Sequence, residues 1–227
     1  PMSLPVSSPF LNWNSIDTVF LDMDGTLLDL NYDNQFWQKY LPECYAKQHN
    51  LSLEAATESL MSRYKDMSGT LEWYCVDYWT TQLDMDVGAL KKDLAHLIAI
   101  HPYVPEFLQA LHQHHKRVVL VTNAHHKSLS LKMQHTQLGE HFDRIVCAHD
   151  LGLPKEAGAF WHKLQTIEPF NVARTLFIDD SLPVLRSAAN YGITYLLSIY
   201  QPDSQSSPNE VGEFRAIRCF REIMPKH

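Results

Sequence analysis

Two aspartates stand two residues apart, Asp22 and Asp24, directly after the apolar run Val19-Phe20-Leu21 and directly before Gly25 and Thr26. The run is rich in strand formers and ends abruptly in charge, which predicts a short buried strand opening into an acidic loop. Carboxylates two apart on an extended backbone point the same way. Held in one small space they repel, and a divalent cation is the usual remedy. The plain alternative is an Asx turn leading into a helix or hairpin, because Asp-Gly is a common turn pair.

Other apolar runs end in groups of the same kind. Residues 117–121 form a continuous, β-branched run typical of a strand buried on both faces, and Thr122 and Asn123 follow it. Residues 144–148 give a third strand, and the loop after it carries Lys155. Residues 175–178 give a fourth, which runs into Asp179, Asp180 and Ser181, and residues 194–197 give a fifth. Helices are expected over 104–113, over 128–138 with Gly139 closing it, over 157–166, and over 183–191 with Pro183 in its first turn. This alternation argues an α/β fold: a Rossmann-like parallel sheet with helices on both faces. In such sheets the ligand site lies at the carboxyl ends of the strands. Here those ends bring carboxylates, one hydroxyl–amide pair and one amine toward a common place, a site suited to a divalent metal and an anionic ligand.

Magnesium takes oxygen ligands in an octahedron and keeps several waters. Asp22, Asp24 and Asp179 can supply oxygens to it, and Lys155 can neutralise part of a phosphate monoester as a compact point charge. Thr122 and the amides around Asn123 can donate to phosphoryl oxygens. With its charge offset, Asp22 can approach phosphorus as a nucleophile. Asp24 can then protonate the leaving oxygen and later deprotonate a water.

Between the first two strands the character changes. Residues 33–97 hold mostly helix formers and aromatics, with Phe36, Trp37, Tyr40 and Leu41 at helical spacing, Leu60, Tyr64 and Met67 likewise, and Ser52 as a helix cap. The expected organisation is an irregular arm over 1–15, a catalytic core made of 16–30 and 101–227, and an all-helical unit over 31–100 inserted after the first strand. Trp73, Tyr74, Tyr78 and Trp79 crowd one stretch of that unit. Helix-on-helix core is the plain account of such rings, and substrate contact by Trp73, Tyr74 or Tyr78 the functional one. Residues 201–213 read as a mobile loop or excursion, and the tail from Phe214 as a short helix.

Composition narrows the partners. Lys plus Arg is 19 and Asp plus Glu 26, a formal charge of −7, which disfavours a nucleic-acid polymer or an anionic membrane surface. No apolar run approaches the roughly 20 residues of a membrane span, and the first residues lack the pattern of a signal peptide. Cys44, Cys75, Cys147 and Cys219 form no CxxC, so a reduced, cytoplasmic protein is expected, with Cys147 buried. The histidines at 112, 114 and 115 sit where a helix enters a strand, at the wrong end of the sheet for the site. His125, just after Thr122 and Asn123, is a helix-start residue that could also touch phosphate or close against the helical unit. Lys91-Lys92 is too short a basic run to bind nucleic acid.

The motifs together resemble those of the haloacid dehalogenase-like hydrolase superfamily, in particular its phosphatases with a helical cap inserted after the first strand. The family's DxDxT motif stands as Asp22-Met23-Asp24-Gly25-Thr26, its second motif as Thr122-Asn123, its lysine as Lys155 and its acidic pair as Asp179-Asp180. The resemblance implies that Asp22 forms an aspartyl-phosphate and that Asp24 is the general acid and base. It further implies that Asp22, the backbone carbonyl of Asp24 and Asp179 hold Mg²⁺, with Asp180 assisting the metal site or orienting Lys155. One departure is that Pro154 precedes the lysine and Glu156 follows it. Residues 21–30, 33–43, 71–79, 121–125 and 175–181 resemble more narrowly the bacterial GMP/IMP 5′-nucleotidases of this superfamily. That resemblance implies a small phosphorylated metabolite, a purine 5′-mononucleotide, as substrate. A phosphatase for sugar phosphates or other small monoesters, a phosphomutase, and a non-catalytic module binding a phospholigand or a protein are the alternatives.

Overall fold

The computed structural model describes residues 11–226. Among them six strands make one sheet: β1 (Thr18–Leu21), β2 (Arg117–Thr122), β3 (Arg144–Cys147), β4 (Thr175–Ile178), β5 (Tyr195–Ile199) and β6 (Arg215–Ile217). The order is β3-β2-β1-β4-β5-β6, and every neighbouring pair is parallel. The central strand β1 is buried along its whole length, and its side chains alternate between two cores. Val19 and Leu21 join Phe107, Leu108 and Leu120 on one face, while Phe20 joins Val119, Phe160, Trp161 and Phe177 on the other. A strand covered on both sides is largely apolar, and the apolar run of β1 ends with its last residue, Leu21, directly before Asp22. Leu21 pairs with Leu120 on one side and with Ile178 on the other, so the neighbouring strands end nearly flush. That register sets Asp22 and Asp179 on one edge.

Between β1 and β2 lie α1 (Asn31–Gln35), a π-helical turn (Phe36–Tyr40), α2 (Leu41–His49), α3 (Leu53–Met67), α4 (Val76–Leu83) and α5 (Val87–Asp93). Ser52 caps α3, accepting from the Ala55 amide at 3.1 Å. These helices enclose their own apolar cluster, in which Phe36, Leu60, Val76 and Trp79 are buried. Trp37, Tyr64, Trp73 and Trp79 meet there at ring separations of 5.1 to 6.2 Å. Such tilted and edge-on pairs satisfy the ring quadrupoles.

The rest of the chain alternates as expected, with α6 (Val104–Gln113), α7 (His126–Thr136), α8 (Ala148–Leu151), α9 (Gly158–Ile167) and α10 (Leu182–Tyr191). The expected helices lie within two residues of the sequence reading at each end, and α8, which that reading did not include, follows β3 directly. Helix α7 starts at His126 and ends at Thr136, because Gln137 takes the left-handed conformation at φ 60° and turns Leu138 into the core. Gly139, expected to close that helix, lies instead in the 3₁₀ turn Leu138–His141. The tail from Phe214, expected as a short helix, contributes β6, which pairs with the otherwise open edge of β5 and buries Ile217; a 3₁₀ turn then buries Phe220. Residues 201–213 carry no helix or strand, but side chains anchor them. Asp203 accepts from Asn34 Nδ2 at 2.7 Å, and Asn209 donates to the Asp180 carbonyl at 2.8 Å.

Of the expected arm, Trp13 donates its indole N–H to the Ile223 carbonyl at 3.0 Å and packs on Phe107; Pro1, Pro5, Pro9 and Phe10 lie outside the described residues. All four cysteines are free and Cys147 is buried. No helix among the described residues is long and apolar enough to cross a membrane. Trp79 is fully buried in the helical unit and donates to the Trp73 carbonyl at 2.9 Å. Trp79→Ala should therefore cost about 3–5 kcal/mol in urea unfolding, the range for a deleted core ring; a loss below about 1 kcal/mol would mean that the unit's stability does not rest on this cluster.

Candidate active site

The site grows from the ends of β1 and β4. The Asp22 amide donates to the Ile178 carbonyl at 3.1 Å, which continues the sheet for one residue and aims the carboxylate out of its edge. That carboxylate accepts from Thr26 Oγ1 at 2.9 Å and from Lys155 Nζ at 2.9 Å. The same ammonium donates to Asp179 Oδ2 at 2.7 Å and to the Val121 carbonyl at 2.9 Å. An ammonium has three protons, so Lys155 is fully engaged. It is 2% exposed; burial works against its charge, but Asp179 and Asp22 outweigh burial and hold its pKa above the usual lysine value.

The carboxyls of Asp179 and Asp180 are pushed upward. Burial, and then the Asp22 charge, push Asp179 up in spite of Lys155, and the Ser181 amide donates to its Oδ1 at 2.8 Å. Burial followed by the charges of Asp22 and Asp179 pushes Asp180 well up. Oxygens of Asp22, Asp179 and Asp180 all lie within 4.8 Å of one another. Three carboxylates around one ammonium leave an excess of negative charge in a dry place, and the donor set is oxygen alone. These residues fit a hard divalent cation such as Mg²⁺. Gly25 makes room for the cluster: its φ is +83°, and a Cβ there would lie 2.7 Å from Asp180 Cγ.

Asp24 stands apart from that cluster. Its carboxylate accepts from Lys132 Nζ at 2.6 Å, and Lys132 also donates to Asp33 Oδ1 at 2.6 Å. Lys132 is 1% exposed; burial opposes its charge, and Asp24 and Asp33 more than restore it. Burial first, and the Asp33 charge second, raise the Asp24 pKa. Asp33 Oδ2 is buried and has no hydrogen-bond partner among the described residues. As side chains, then, Asp22, Asp179 and Asp180 gather, while Asp24 belongs to a second carboxylate–ammonium–carboxylate set beside them.

The remaining sequence-predicted residues sit as follows. Thr122 is buried, lines the cavity above the strand ends, and its hydroxyl accepts from the Ala124 amide at 3.0 Å. The side chain of Asn123 is committed to the loop: Oδ1 accepts from the Lys155 amide at 2.9 Å and Nδ2 donates to Glu156 Oε1 at 2.7 Å. Glu156 Oε2 in turn accepts from the Tyr74 hydroxyl at 2.8 Å. His125 caps α7, with Nδ1 accepting from the Lys127 amide, and its Nε2 lies 3.4 Å from Asp77 of the helical unit. A cavity of about 450 Å³ lies between the strand ends and the helical unit. Trp73 and Tyr74 line it with Trp37 and Tyr64; Tyr78 and His125 do not. Tyr78 packs edge-on against Trp79 at 5.2 Å instead.

Residues 16–192 match the model of the haloacid dehalogenase-like hydrolases. The chain belongs to that family. It is 38% identical over 213 residues to the GMP/IMP nucleotidase YrfG of Escherichia coli (strain K12), covering 94% of this chain and 96% of that one, and equally so to the Shigella flexneri protein of the same name. Among solved structures, a HAD phosphatase from Thermococcus onnurineus superposes with a TM-score of 0.74 at 18% identity, covering 90% of this chain and 94% of its own. A β-phosphoglucomutase-like protein from Thermotoga maritima gives 0.62, covering 89% and 94%, again at 18% identity. The chain is thus a haloacid dehalogenase-like hydrolase with an α/β fold, and its curated relatives place it with the phosphoric monoester hydrolases.

Sequence reasoning passed over Lys132, Asp33, Lys91 and Glu156 as site residues. A signal existed for both lysines: Lys132 falls four after Ser128 and Lys91 four after Val87, each on the buried face of its helix. Lys132→Met would leave Asp24 and Asp33 buried without their cation. Urea unfolding at pH 7 should report a loss of about 3–5 kcal/mol, as for other broken buried pairs. The loss should shrink toward pH 5, because the Asp24 carboxyl, whose pKa burial already raises, takes up a proton and removes one uncompensated charge; a pH-independent loss would contradict the electrostatic account.

Proposed function

We propose that this phosphatase is a Mg²⁺-dependent 5′-nucleotidase that releases phosphate from GMP and IMP through an aspartyl-phosphate on Asp22. The observation that carries the reading is the separation of the two motif aspartates. Asp22 sits among carboxylates and Lys155, where a dianionic phosphoryl group and a metal ion belong together. Asp24, two residues on, is held by Lys132 at the side facing the helical unit, with a pKa raised by burial and by Asp33.

In the first step an Asp22 carboxylate oxygen attacks phosphorus, the bond from phosphorus to O5′ breaks, and the proton of Asp24 passes to O5′, releasing the nucleoside. In the second step Asp24 takes a proton from water as that water attacks phosphorus, the acyl-phosphate bond breaks, and Asp22 returns as carboxylate with phosphate released. Thr26 and Lys155 fix the Asp22 carboxylate for both attacks, and the Thr122 hydroxyl and the Lys155 ammonium face the transferred group. Mg²⁺, held by Asp22, Asp179, Asp180 and the Asp24 carbonyl, would offset the charge of nucleophile and phosphoryl oxygens. The unit over 31–100 acts as a cap that excludes water from the cavity and offers rings to a purine. The link Asn123–Glu156–Tyr74 ties the cap to the lysine loop. The nucleotide preference is supported by the likeness to the GMP/IMP nucleotidases and by the ring-lined wall.

Phosphate release should be measured on a panel of natural monoesters, with Mg²⁺ and with EDTA, and ranked by kcat/KM. GMP and IMP should lead by at least tenfold, about 1.4 kcal/mol of transition-state preference, EDTA should abolish turnover, and Asp22→Asn should do so with the fold retained. If sugar phosphates or pyrimidine nucleotides rank equal or higher, the nucleotidase reading goes while the aspartate chemistry stands. Turnover near wild type in Asp22→Asn would remove the nucleophile assignment.

A further inference from the structure

Lys91 is the one lysine of the cavity wall whose ammonium makes no hydrogen bond or ion pair among the described residues. It is 3% exposed, on the last turn of α5, and its backbone carbonyl accepts from the Tyr32 hydroxyl at 2.7 Å. Its Nζ lies 4.6 Å from the Phe36 ring centre, 5.0 Å from that of Trp37 and 5.5 Å from that of Tyr32. Lys155 and Lys132, equally buried, spend their charge on paired carboxylates; the Lys91 ammonium lies against ring faces and has no acceptor among the described residues. Cation–π contact recovers part of the hydration an ammonium loses and supplies no acceptor for its protons. Burial accordingly pushes its pKa down, with Lys132 adding to the effect and Asp33 and Asp24 opposing it. The group faces the same cavity as Asp24 and is within electrostatic range of it, which sets it on the leaving-group side.

A donor-only group waiting in an aromatic pocket fits a ligand that brings acceptors and a flat ring. The Hoogsteen edge of a 6-oxopurine presents two acceptors, N7 and O6, and lysine pairs well with that edge; adenine presents N7 beside an amino group that can only donate. We propose that Lys91 is the residue by which the cavity selects 6-oxopurine over 6-aminopurine nucleotides, donating to O6 and N7 while the base lies against the ring-lined wall. An incoming 6-amino group would leave the ammonium unpaired, and a site built to hydrogen-bond one substrate rejects its mismatched analogue strongly. The proposal explains why GMP and IMP would be accepted together: they differ at C2 and share the edge that Lys91 reads. It rests on the nucleotidase reading of the site.

The test is a double-mutant cycle with one change in the protein and one in the ligand. Values of kcat/KM are measured for IMP, AMP and purine riboside 5′-monophosphate, which carries hydrogen at C6, with the wild type and with Lys91→Met. In the wild type IMP should exceed both analogues by at least tenfold. In Lys91→Met both ratios should fall at least tenfold, chiefly through loss on IMP. Methionine suits an aromatic box, and Lys91→Met should fold at least as stably as the wild type. Should it fail to fold, the comparison is made with Lys91→Arg, which keeps the donors: there the IMP preference must persist. A ratio of IMP to purine riboside 5′-monophosphate that stays within twofold of wild type in Lys91→Met overturns the assignment, as does loss of the IMP preference in Lys91→Arg. Failure of the underlying reading looks different: wild-type protein would then prefer a non-purine monoester.

Discussion

Lys155 is the constraint on which the rest of the structure depends. Two carboxylates, Asp22 and Asp179, converge on its ammonium, and a third, Asp180, crowds the same space. In bulk water none of this would matter, since screened charges 4 Å apart interact by only about 1 kcal/mol. Inside the protein each uncompensated charge costs several kcal/mol, so the position of the amine decides whether the site can exist. Asn123 therefore matters as much for structure as for any ligand: its side-chain oxygen takes the Lys155 amide, and its side-chain nitrogen holds the next residue, Glu156. The loop that departs from the family's usual spelling, with proline before the lysine, is fixed through this amide at the end of β2.

A second buried ammonium repeats the logic across the chain. Lys132 comes from α7 of the core, Asp24 from the loop after β1 and Asp33 from the first helix of the inserted unit. The pair of ion pairs thus spans the point where the chain leaves the core for the helices. Residues 201–213 hold the same region from the other side, with Ser204 bonded to Asp29 and Asp203 to Asn34. Both ammonium sites use opposite charges drawn from separate elements, so each sets the relative placement of those elements as well as a local charge.

The sequence made the sheet legible because parallel strands buried on both faces leave continuous apolar runs, and their ends are marked by the polar residues that follow. Asp22, Thr122, Asp179 and Asp180 were readable for the same reason. Lys132 and Lys91 were not, because a lysine inside a helical stretch carries no local sign of burial; only its phase against its neighbours gives it away. Tyr78 shows the reverse error, since ring density marks core and cavity wall alike, and the choice between them depends on which way a helix is turned. The β6 strand escaped because three residues suffice to cover an open sheet edge, too few to leave a pattern. Gly139 misled because Gln137 reached the left-handed region first, and the burial of Leu138 decided where the helix had to stop.

The two buried ammonium sites and the unpaired Lys91 divide the cavity by charge. Its floor, at the strand ends, gathers three carboxylates around one ammonium, a donor set that fits a divalent metal. Its wall, in the inserted helices, is aromatic with one ammonium, that of Lys91, which has no hydrogen bond or ion pair among the described residues. A ligand complementary to both must carry phosphate at one end and a flat, acceptor-bearing ring at the other. Neither end alone would select it: the floor serves any monoester, and rings alone tolerate any base. Selectivity on such a scaffold thus has to come from polar groups in the wall that the protein leaves unsatisfied, because only those impose a penalty on the wrong ligand.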